Sequence, residues 1–177
     1  MISRKYSKDY KLTHTVQENG KIKTDVKYVG TEYIISDEEN FKKNRKIFLM
    51  LASLCWIFFI FAIVPQSTSS RTFYVIVPFV SCAMPLFFLT GSITGLFQIK
   101  SPITRMQADK INRTLPAQAF AFMLLSGAAF FGFAISCIIN FKKMIAGDLI
   151  YGISSFCVLA LSAVIFSLRK KICAKEK

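Results

Sequence analysis

Residues 47–64 read IFLMLASLCWIFFIFAIV, and this stretch decides the class of fold. It contains no Asp, Glu, Lys, Arg or His, and its few polar residues form no stripe at helical spacing. A helix of a soluble protein keeps one polar face, which this stretch lacks. At a rise of about 1.5 Å per residue, about 20 residues cross a hydrocarbon core of about 30 Å. The stretch therefore predicts a membrane-spanning helix.

Three further runs share this character, and the predicted spans cover residues 47–64, 72–97, 118–139 and 149–168. Segregation of these runs from the charged segments explains how a chain that is 53% hydrophobic carries a net charge of +13. We predict an all-α transmembrane fold, a four-helix membrane bundle with a small cytoplasmic N-terminal β-hairpin module. Residues 1–46 form a basic cytoplasmic segment with the hairpin and a juxtamembrane helix, residues 47–168 the transmembrane domain, and residues 169–177 a basic cytoplasmic tail.

The distribution of Lys and Arg predicts the orientation. Of the 23 basic residues, 20 fall in residues 1–46, in the middle loop and in residues 169–177, whereas three lie on the other side (Arg71, Lys142 and Lys143). Positively charged loops stay in the cytoplasm. We therefore expect a multi-pass protein of the cell membrane with both termini in the cytoplasm. The basic face also predicts anionic lipid headgroups as partners, at about 1 kcal/mol per basic residue near the surface.

Two alternating runs in the N-terminal segment predict a hairpin. Leu12, His14 and Val16 alternate with Thr residues, and the second run places Val26 and Tyr28 on one side. The Asn19-Gly20 pair between the runs favours a type I′ turn. A third strand could follow in residues 31–35. The alternative is a loosely ordered basic tail.

Three sequence signals predict helix ends. The acidic stretch 36–39, with Ser36 as N-cap, predicts a helix that continues into the first span. In the middle loop, Ser101-Pro102 predicts the start of a short helix and Pro116 its end.

The pattern of reactive residues argues against an enzyme. The five cysteines form no C-x-x-C pair, and His14 is the only histidine. Metal sites need clustered ligands, and no phosphate loop, nucleophile elbow or zinc-protease motif occurs. We expect no catalytic residues, no metal and no cofactor. Sorting of the basic residues by membrane side likewise removes nucleic acid as the expected partner.

The second span combines prolines with hydroxyl side chains. It carries Pro78 and Pro85 seven residues apart, together with several hydroxyl residues (Ser81, Thr90, Ser92 and Thr94). Each proline frees a carbonyl one turn earlier. The span is either a kinked packing helix, which is commoner, or a broken helix that lines a path.

Small residues four apart predict close helix packing. The candidates are Gly91 and Gly95 in the second span, Ala128 and Gly132 in the third, and Gly152 in the fourth. Such spacing lets two backbones approach each other in lipid. The contacts could lie within the bundle, with a membrane protein partner, or in a homo-oligomer.

These patterns favour a non-enzymatic accessory subunit or membrane-anchored adaptor that acts by helix–helix and cytoplasmic protein association. Its expected docking element is the hairpin, with Asn19, Gly20, Val26 and Tyr28. The alternative is a small oligomeric transporter or channel with the second span lining the path. An enzyme acting on lipid or thiol substrates ranks last.

Overall fold

The computed structural model describes residues 4–16, 22–35, 38–65, 67, 71–99, 102–172 and 174–176. Among these residues, six α-helices follow one another: α1 (Glu38–Ile63), α2 (Phe73–Ser81), α3 (Ala83–Leu96), α4 (Arg105–Asp109), α5 (Leu115–Ile139) and α6 (Ala146–Leu168). The described strands are β1 (Tyr10–Val16), β2 (Ile22–Tyr28), β3 (Tyr33–Ile35) and β4 (Ala174–Glu176). Short 3₁₀ turns cover Arg4–Asp9, Phe141–Lys143 and Arg169–Lys171.

Four helical stretches are long and apolar enough to cross a membrane: Glu38–Ile63, Phe73–Leu96, Arg105–Ile139 and Ala146–Leu168. The prediction of four apolar helices is therefore confirmed. Three of the stretches begin before the predicted spans, because polar flanking residues continue the helix. In α1, Glu38 and Glu39 occupy the first turn, where negative charge suits the helix dipole. The juxtamembrane helix and the first span are thus one helix, while Ser36 lies outside the described residues.

The helix that leads into α5 differs from the prediction. Its first residue is Arg105, and the Thr104 N–H donates to Gln107 Oε1 at 3.0 Å. Pro116 does not end a helix: a π-helical turn, Lys110–Thr114, joins α4 directly to α5. Proline is tolerated in the first turn of a helix, where its missing N–H costs little, and the wider π turn comes immediately before it. The predicted stop at Pro116 is therefore wrong.

The four long stretches form one bundle. Helix α1 packs against α6 and α3, and α5 packs against α6, α2 and α3. Fully buried Phe48, Leu86, Phe122 and Ile165 fill the centre.

Two pairs of polar side chains form hydrogen bonds between neighbouring helices. The hydroxyls of Ser126 in α5 and Ser162 in α6 lie 3.0 Å apart. The Ser92 hydroxyl donates to Gln118 Oε1 at 2.6 Å, joining α3 to α5. Because a buried hydroxyl needs a partner, such pairs fix which helix faces meet.

The outer surface of the bundle is apolar at mid-height. On this surface, large apolar side chains near the middle of the helices are exposed, among them Met84 (69%), Phe87 (66%) and Phe131 (65%). Monomeric soluble proteins rarely expose contiguous apolar patches of this kind. The surface composition therefore suits an apolar surrounding.

Strands β1 and β2 pair in antiparallel fashion, which confirms the predicted strand pair. The register runs from Tyr10 opposite Tyr28 to Val16 opposite Ile22, so apolar positions face each other. The predicted turn at Asn19-Gly20 lies outside the described residues.

Strand β3 forms within the predicted stretch, but with a different partner. It pairs with β4 in antiparallel fashion, with Ile35 opposite Ala174, and it does not extend the β1–β2 sheet. The third strand that residues 31–35 could have added to the N-terminal sheet is therefore part of a second sheet instead. An even number of helical passes returns the chain to the end where it started, which brings β4 beside β3.

Candidate docking site at the basic end

The basic end of the bundle is formed by the segment before α1, the α3–α4 connection and the segment after α6. Three pieces of chain meet there. Besides pairing with β4, β3 exchanges two backbone hydrogen bonds with the connection, because Tyr33 and Ile103 each donate to the other's carbonyl at 3.0 Å. Ile35, Ile103 and Ile172 bury their side chains at this junction. We call the β3, β4 and Ile103 backbone pairing the clasp.

The base of the β1–β2 hairpin is closed locally. The Val29 N–H donates to the Asp9 carbonyl at 2.8 Å, just outside the first strand pair. The rings of Tyr10 and Tyr28 lie edge to face with centroids 5.2 Å apart. Aromatic pairs of this geometry contribute about 0.5–1.5 kcal/mol beyond the area that they bury. The two strands are therefore held together where they leave the bundle.

Two tyrosine hydroxyls fix this base to α4. The Tyr6 hydroxyl donates to Asp109 Oδ2 at 2.8 Å. The Tyr28 hydroxyl donates to the Thr31 carbonyl at 2.7 Å and accepts the Arg105 N–H at 3.0 Å. The N–H groups of a first helical turn have no partner within their own helix, and Tyr28 satisfies one of them. Tyr28, predicted as a docking residue, thus bonds within the chain.

The rest of the hairpin extends from this anchored base. Within the described chain, β1 and β2 have extensive contacts only with each other and with the preceding 3₁₀ turn. Each strand therefore has one paired edge and one edge without a described partner. Val26 lies opposite Leu12 in the register, while Asn19 and Gly20 lie outside the described residues. Exposed strand edges are templates for pairing with another chain.

The predicted packing residues lie in different surroundings. A Cβ built on Gly132 would stand 2.6 Å from the backbone oxygen of Tyr74, so α5 and α2 approach closely there. A Cβ on Gly152 would stand 2.5 Å from the Phe133 ring, and one on Gly95 equally near Lys110 Nζ. No described atom lies within 4 Å of the position of a Gly91 Cβ, and Ala128 is exposed. The two small-residue pairs are thus split between inward and outward positions.

Pro78 accounts for part of the close approach at Gly132. It has no N–H to donate to the carbonyl one turn earlier, which belongs to Tyr74. This is the same carbonyl that lies over Gly132. The sequence pattern treated Pro78 and Gly132 separately, whereas the structure brings the freed carbonyl to the glycine.

Pro85 stands just after the one interruption in the second apolar stretch. Helix α2 ends at Ser81 and α3 begins at Ala83. The Cys82 N–H reaches both the Pro78 and the Phe79 carbonyls at 3.1 Å, so the two helices follow each other with only one residue between them. Pro85 cannot donate to the Ser81 carbonyl, which explains where the helix is interrupted.

The hydroxyl residues of this stretch point in several directions. Thr90 accepts the Trp56 indole N–H from α1 at 3.1 Å, while Ser92 donates to Gln118 in α5. Ser81 and Thr94 are exposed on the outer surface. The four hydroxyls therefore do not line a common path among the described residues.

Asp148 was not among the predicted site residues, and it comes directly before the fourth predicted span, residues 149–168. The residue lies in the first turn of α6 and is fully buried. One carboxylate oxygen accepts the Ser67 hydroxyl at 2.6 Å, and the other accepts the Ile145 N–H at 2.9 Å. Asp at the third helical position, directly before an apolar run, was the available signal. Asp148 thus ties the α1–α2 connection to the start of α6 at the end opposite the basic end.

The reactive side chains are dispersed over the described chain. Cys55, Cys82, Cys137 and Cys157 are free thiols on separate parts of the bundle, and no group of three metal-binding side chains occurs among the described residues. The strongest candidate for a functional site is therefore the anchored hairpin. When the chain was compared with protein-family models, with curated proteins and with solved structures, none of the three comparisons returned a match.

Proposed function

We propose that this chain is a multi-pass membrane protein that acts as a non-enzymatic adaptor or accessory subunit, with the β1–β2 hairpin as its docking element. The basic end faces the cytoplasm, and the hairpin binds a cytoplasmic protein or the cytoplasmic part of a membrane protein. The observation that carries the proposal is a hairpin anchored at its base whose strands pair only with each other in the described chain.

The low stability expected of a two-stranded hairpin favours a partner that packs on it. An isolated two-stranded hairpin is marginally stable in water, and further strands or a packed surface are needed for independent stability. The tyrosine contacts of Tyr6 and Tyr28 hold the base in one place, which lowers the entropy that docking has to overcome. A partner can add a strand to a free edge or cover the apolar side, and both modes are common in peptide recognition.

Membrane insertion is supported by the outer surface and by the charge distribution. Exposed Met84, Phe87 and Phe131 replace the polar surface that a soluble bundle would need. Most Lys and Arg residues belong to the segments of the basic end, which favours the cytoplasmic side for that end. The transporter alternative gains no comparable support, because the hydroxyls of α2 and α3 are divided among different surroundings.

The hairpin is tested with one pair of point variants in the full chain. Val26→Asp places a charge at an apolar register position, and Lys27→Asp places the same charge on the next residue, which is exposed. Covering a valine side chain on docking contributes about 1.5 kcal/mol or more, so loss of this contact weakens binding about tenfold. We expect proteins cross-linked to the wild-type chain in cells to be reduced about tenfold by Val26→Asp and little changed by Lys27→Asp.

A third variant removes most of β1 and β2 and keeps the anchored base of the hairpin. Residues 12–26 are replaced by a short Gly–Ser linker, so that Tyr6, Tyr10 and Tyr28 remain. We expect this variant to stay in the membrane fraction after alkaline washing and to lose the cross-linked partners. An unchanged set of partners in this variant and in Val26→Asp would refute docking through the hairpin.

A further inference from the structure

A cavity of about 360 Å³ opens at the basic end, between the start of α1 and the end of α3. One wall is a single face of α1, because Glu38, Phe41, Lys42 and Arg45 recur at helical spacing. The remaining walls come from β3 and from the residues after α3. The residues that line the cavity are Ile35, Glu38, Phe41, Lys42, Arg45, Phe97 and Ile99.

Arg45 has an incomplete set of hydrogen bonds in this cavity. Its guanidinium lies over the Phe97 ring, 4.8 Å from the centroid, in a cation–π contact. Its Nε atom is buried and has no hydrogen-bond partner among the described residues. A guanidinium N–H can only donate, because the group has no acceptor atom. Buried donors of this kind are normally paired. Arg45 also lines the cavity, where an acceptor can approach the outer part of its guanidinium.

The charges of the cavity favour a single negative charge. Lys42 lies 3.9 Å from Glu38, which offsets one of the two positive groups and leaves a surplus of one. The other walls are apolar, because Phe41, Ile35 and Ile99 are buried there. A ligand with one anionic group beside an apolar part matches both kinds of wall.

The position of the cavity matches the depth of lipid phosphates. Arg45 comes just before the apolar part of α1, in which Phe48 is the first fully buried side chain. Phe97 stands at the end of α3. In a membrane, the ends of apolar helices lie at the level of the headgroups, where basic pockets bind acidic lipids.

We propose that this cavity binds the phosphate group of an acidic phospholipid. Arg45 donates to the phosphate through its guanidinium, Lys42 stays beside Glu38, and the glycerol and upper acyl carbons pack on Phe41 and Phe97. A zwitterionic headgroup fits less well, because its ammonium group cancels the negative charge that matches the single surplus positive charge of the cavity. This inference rests on the membrane insertion proposed above and is independent of docking by the hairpin.

The test uses the purified full chain in nanodiscs of phosphatidylcholine with one-fifth phosphatidylglycerol. Lipids that stay bound after transfer to detergent are counted by native mass spectrometry. Both lipids carry a phosphate, but only phosphatidylglycerol has the net negative charge that matches the surplus charge of the cavity. Because one matched charge contributes about tenfold in affinity, we expect the wild-type chain to retain phosphatidylglycerol about tenfold over phosphatidylcholine after correction for abundance. Arg45→Gln should lose this preference. Lys46→Gln removes the same charge from the next residue, which is exposed and lies outside the cavity, and should keep the preference.

Two results would overturn the site. Equal retention of phosphatidylglycerol by Arg45→Gln and by the wild-type chain would exclude the role of Arg45. A loss of the preference in Lys46→Gln as large as in Arg45→Gln would show that the lipid responds to the general surface charge and not to the cavity. Should Arg45→Gln fail to fold, Arg45→Lys keeps the charge but lacks the planar guanidinium with its several donors. We then expect a preference for phosphatidylglycerol that is weaker than in the wild-type chain, and an undiminished preference would overturn the proposal.

A second arm separates lipid from free phosphate. Inorganic phosphate is added to the chain in neutral detergent, and the unfolding temperature is measured. We expect phosphate to leave this temperature within the change caused by sulfate at equal ionic strength. A rise specific to phosphate that Arg45→Gln removes would assign the cavity to a soluble phosphate compound and overturn the lipid assignment. The variant with residues 12–26 replaced should retain phosphatidylglycerol, so failure of hairpin docking and failure of the lipid site are read separately.

Discussion

Replacing Gly132 with alanine tests a close approach between two helices in the bundle. The added Cβ would stand 2.6 Å from the Tyr74 carbonyl oxygen and 3.4 Å from its carbon. Both atoms belong to the backbone of α2, so no side-chain rotation can relieve the contact. Gly91→Ala is the matched control, because it makes the same change in a long apolar helix where no described atom lies within 4 Å.

The cost follows from the distance that the helices must move. Ordinary contacts of a Cβ begin at 3.4 Å, so α5 and α2 have to separate by about 0.8 Å, a displacement typical of overpacking that costs about 1–3 kcal/mol. Alanine gains about 1 kcal/mol over glycine in a helix, and this gain is common to both variants. We therefore expect Gly132→Ala to be about 1–3 kcal/mol less stable than Gly91→Ala.

The assay is reversible unfolding of the purified chain in mixed micelles with increasing mole fraction of SDS. The chain has one tryptophan, Trp56, whose indole donates to Thr90 across α1 and α3, so its fluorescence reports on the folded bundle. Gly91→Ala should unfold at the wild-type SDS fraction or above it, and Gly132→Ala clearly below it. Equal unfolding of the two variants would refute the close approach of α2 and α5 at this glycine.

Two further changes test the other end of the bundle and the orientation. Asp148→Ala leaves the Ser67 hydroxyl and the Ile145 N–H without this acceptor. Since hydrogen bonds to charged groups contribute about 1.5–3 kcal/mol, we expect a loss of stability of that order in the same SDS assay. Stability equal to the wild-type value would show that this carboxylate does not hold the α1–α2 connection. In a chain whose native cysteines are replaced, Lys142→Cys should react with a membrane-impermeant maleimide added to intact cells, whereas Lys170→Cys should react only after the membrane is opened, and the reverse pattern would invert the orientation.

The apolar helices were predictable because their signal is local and redundant. Every residue of Ile47–Val64 supports the same conclusion, so the helix survives any single misjudged position. The β1–β2 strand pair was predictable for a similar reason, since alternation within each strand is read directly from the sequence. The register of the pair was harder to predict, because it depends on the length of the loop and on where each strand ends.

Contacts between distant parts of the chain could not be predicted from local patterns. The residues of β3 read correctly as a strand, but its partner β4 lies beyond all four long helices, and only the packed bundle brings the two together. Continuation of the helix past Pro116 depends on the preceding π turn, which has no marked sequence signature. The contact of the Tyr74 carbonyl with Gly132 likewise requires the rotation of α2 relative to α5.

The candidate docking site was predictable in part. Alternation identified the hairpin, while the anchoring by Tyr6 and Tyr28 depends on the position of α4 beside it. The cavity at Arg45 could not be predicted, because the sequence does not distinguish Arg45 from the neighbouring basic residues Lys42 and Lys46. Only the packing of α1 beside the end of α3 separates Arg45, which lies over Phe97, from its exposed neighbour Lys46.

The clasp sets an order of events during synthesis. The ribosome makes β3 before any of the four long helices, and β4 after all of them. While the helices are being made, β3 can find at most its contact with Ile103, and it must wait for the strand that follows α6. Pairing of β3 with β4 therefore marks a chain whose helices have all been produced. A nascent chain interrupted within α6 never reaches this step, and its β3 edge stays open to chaperones or proteases.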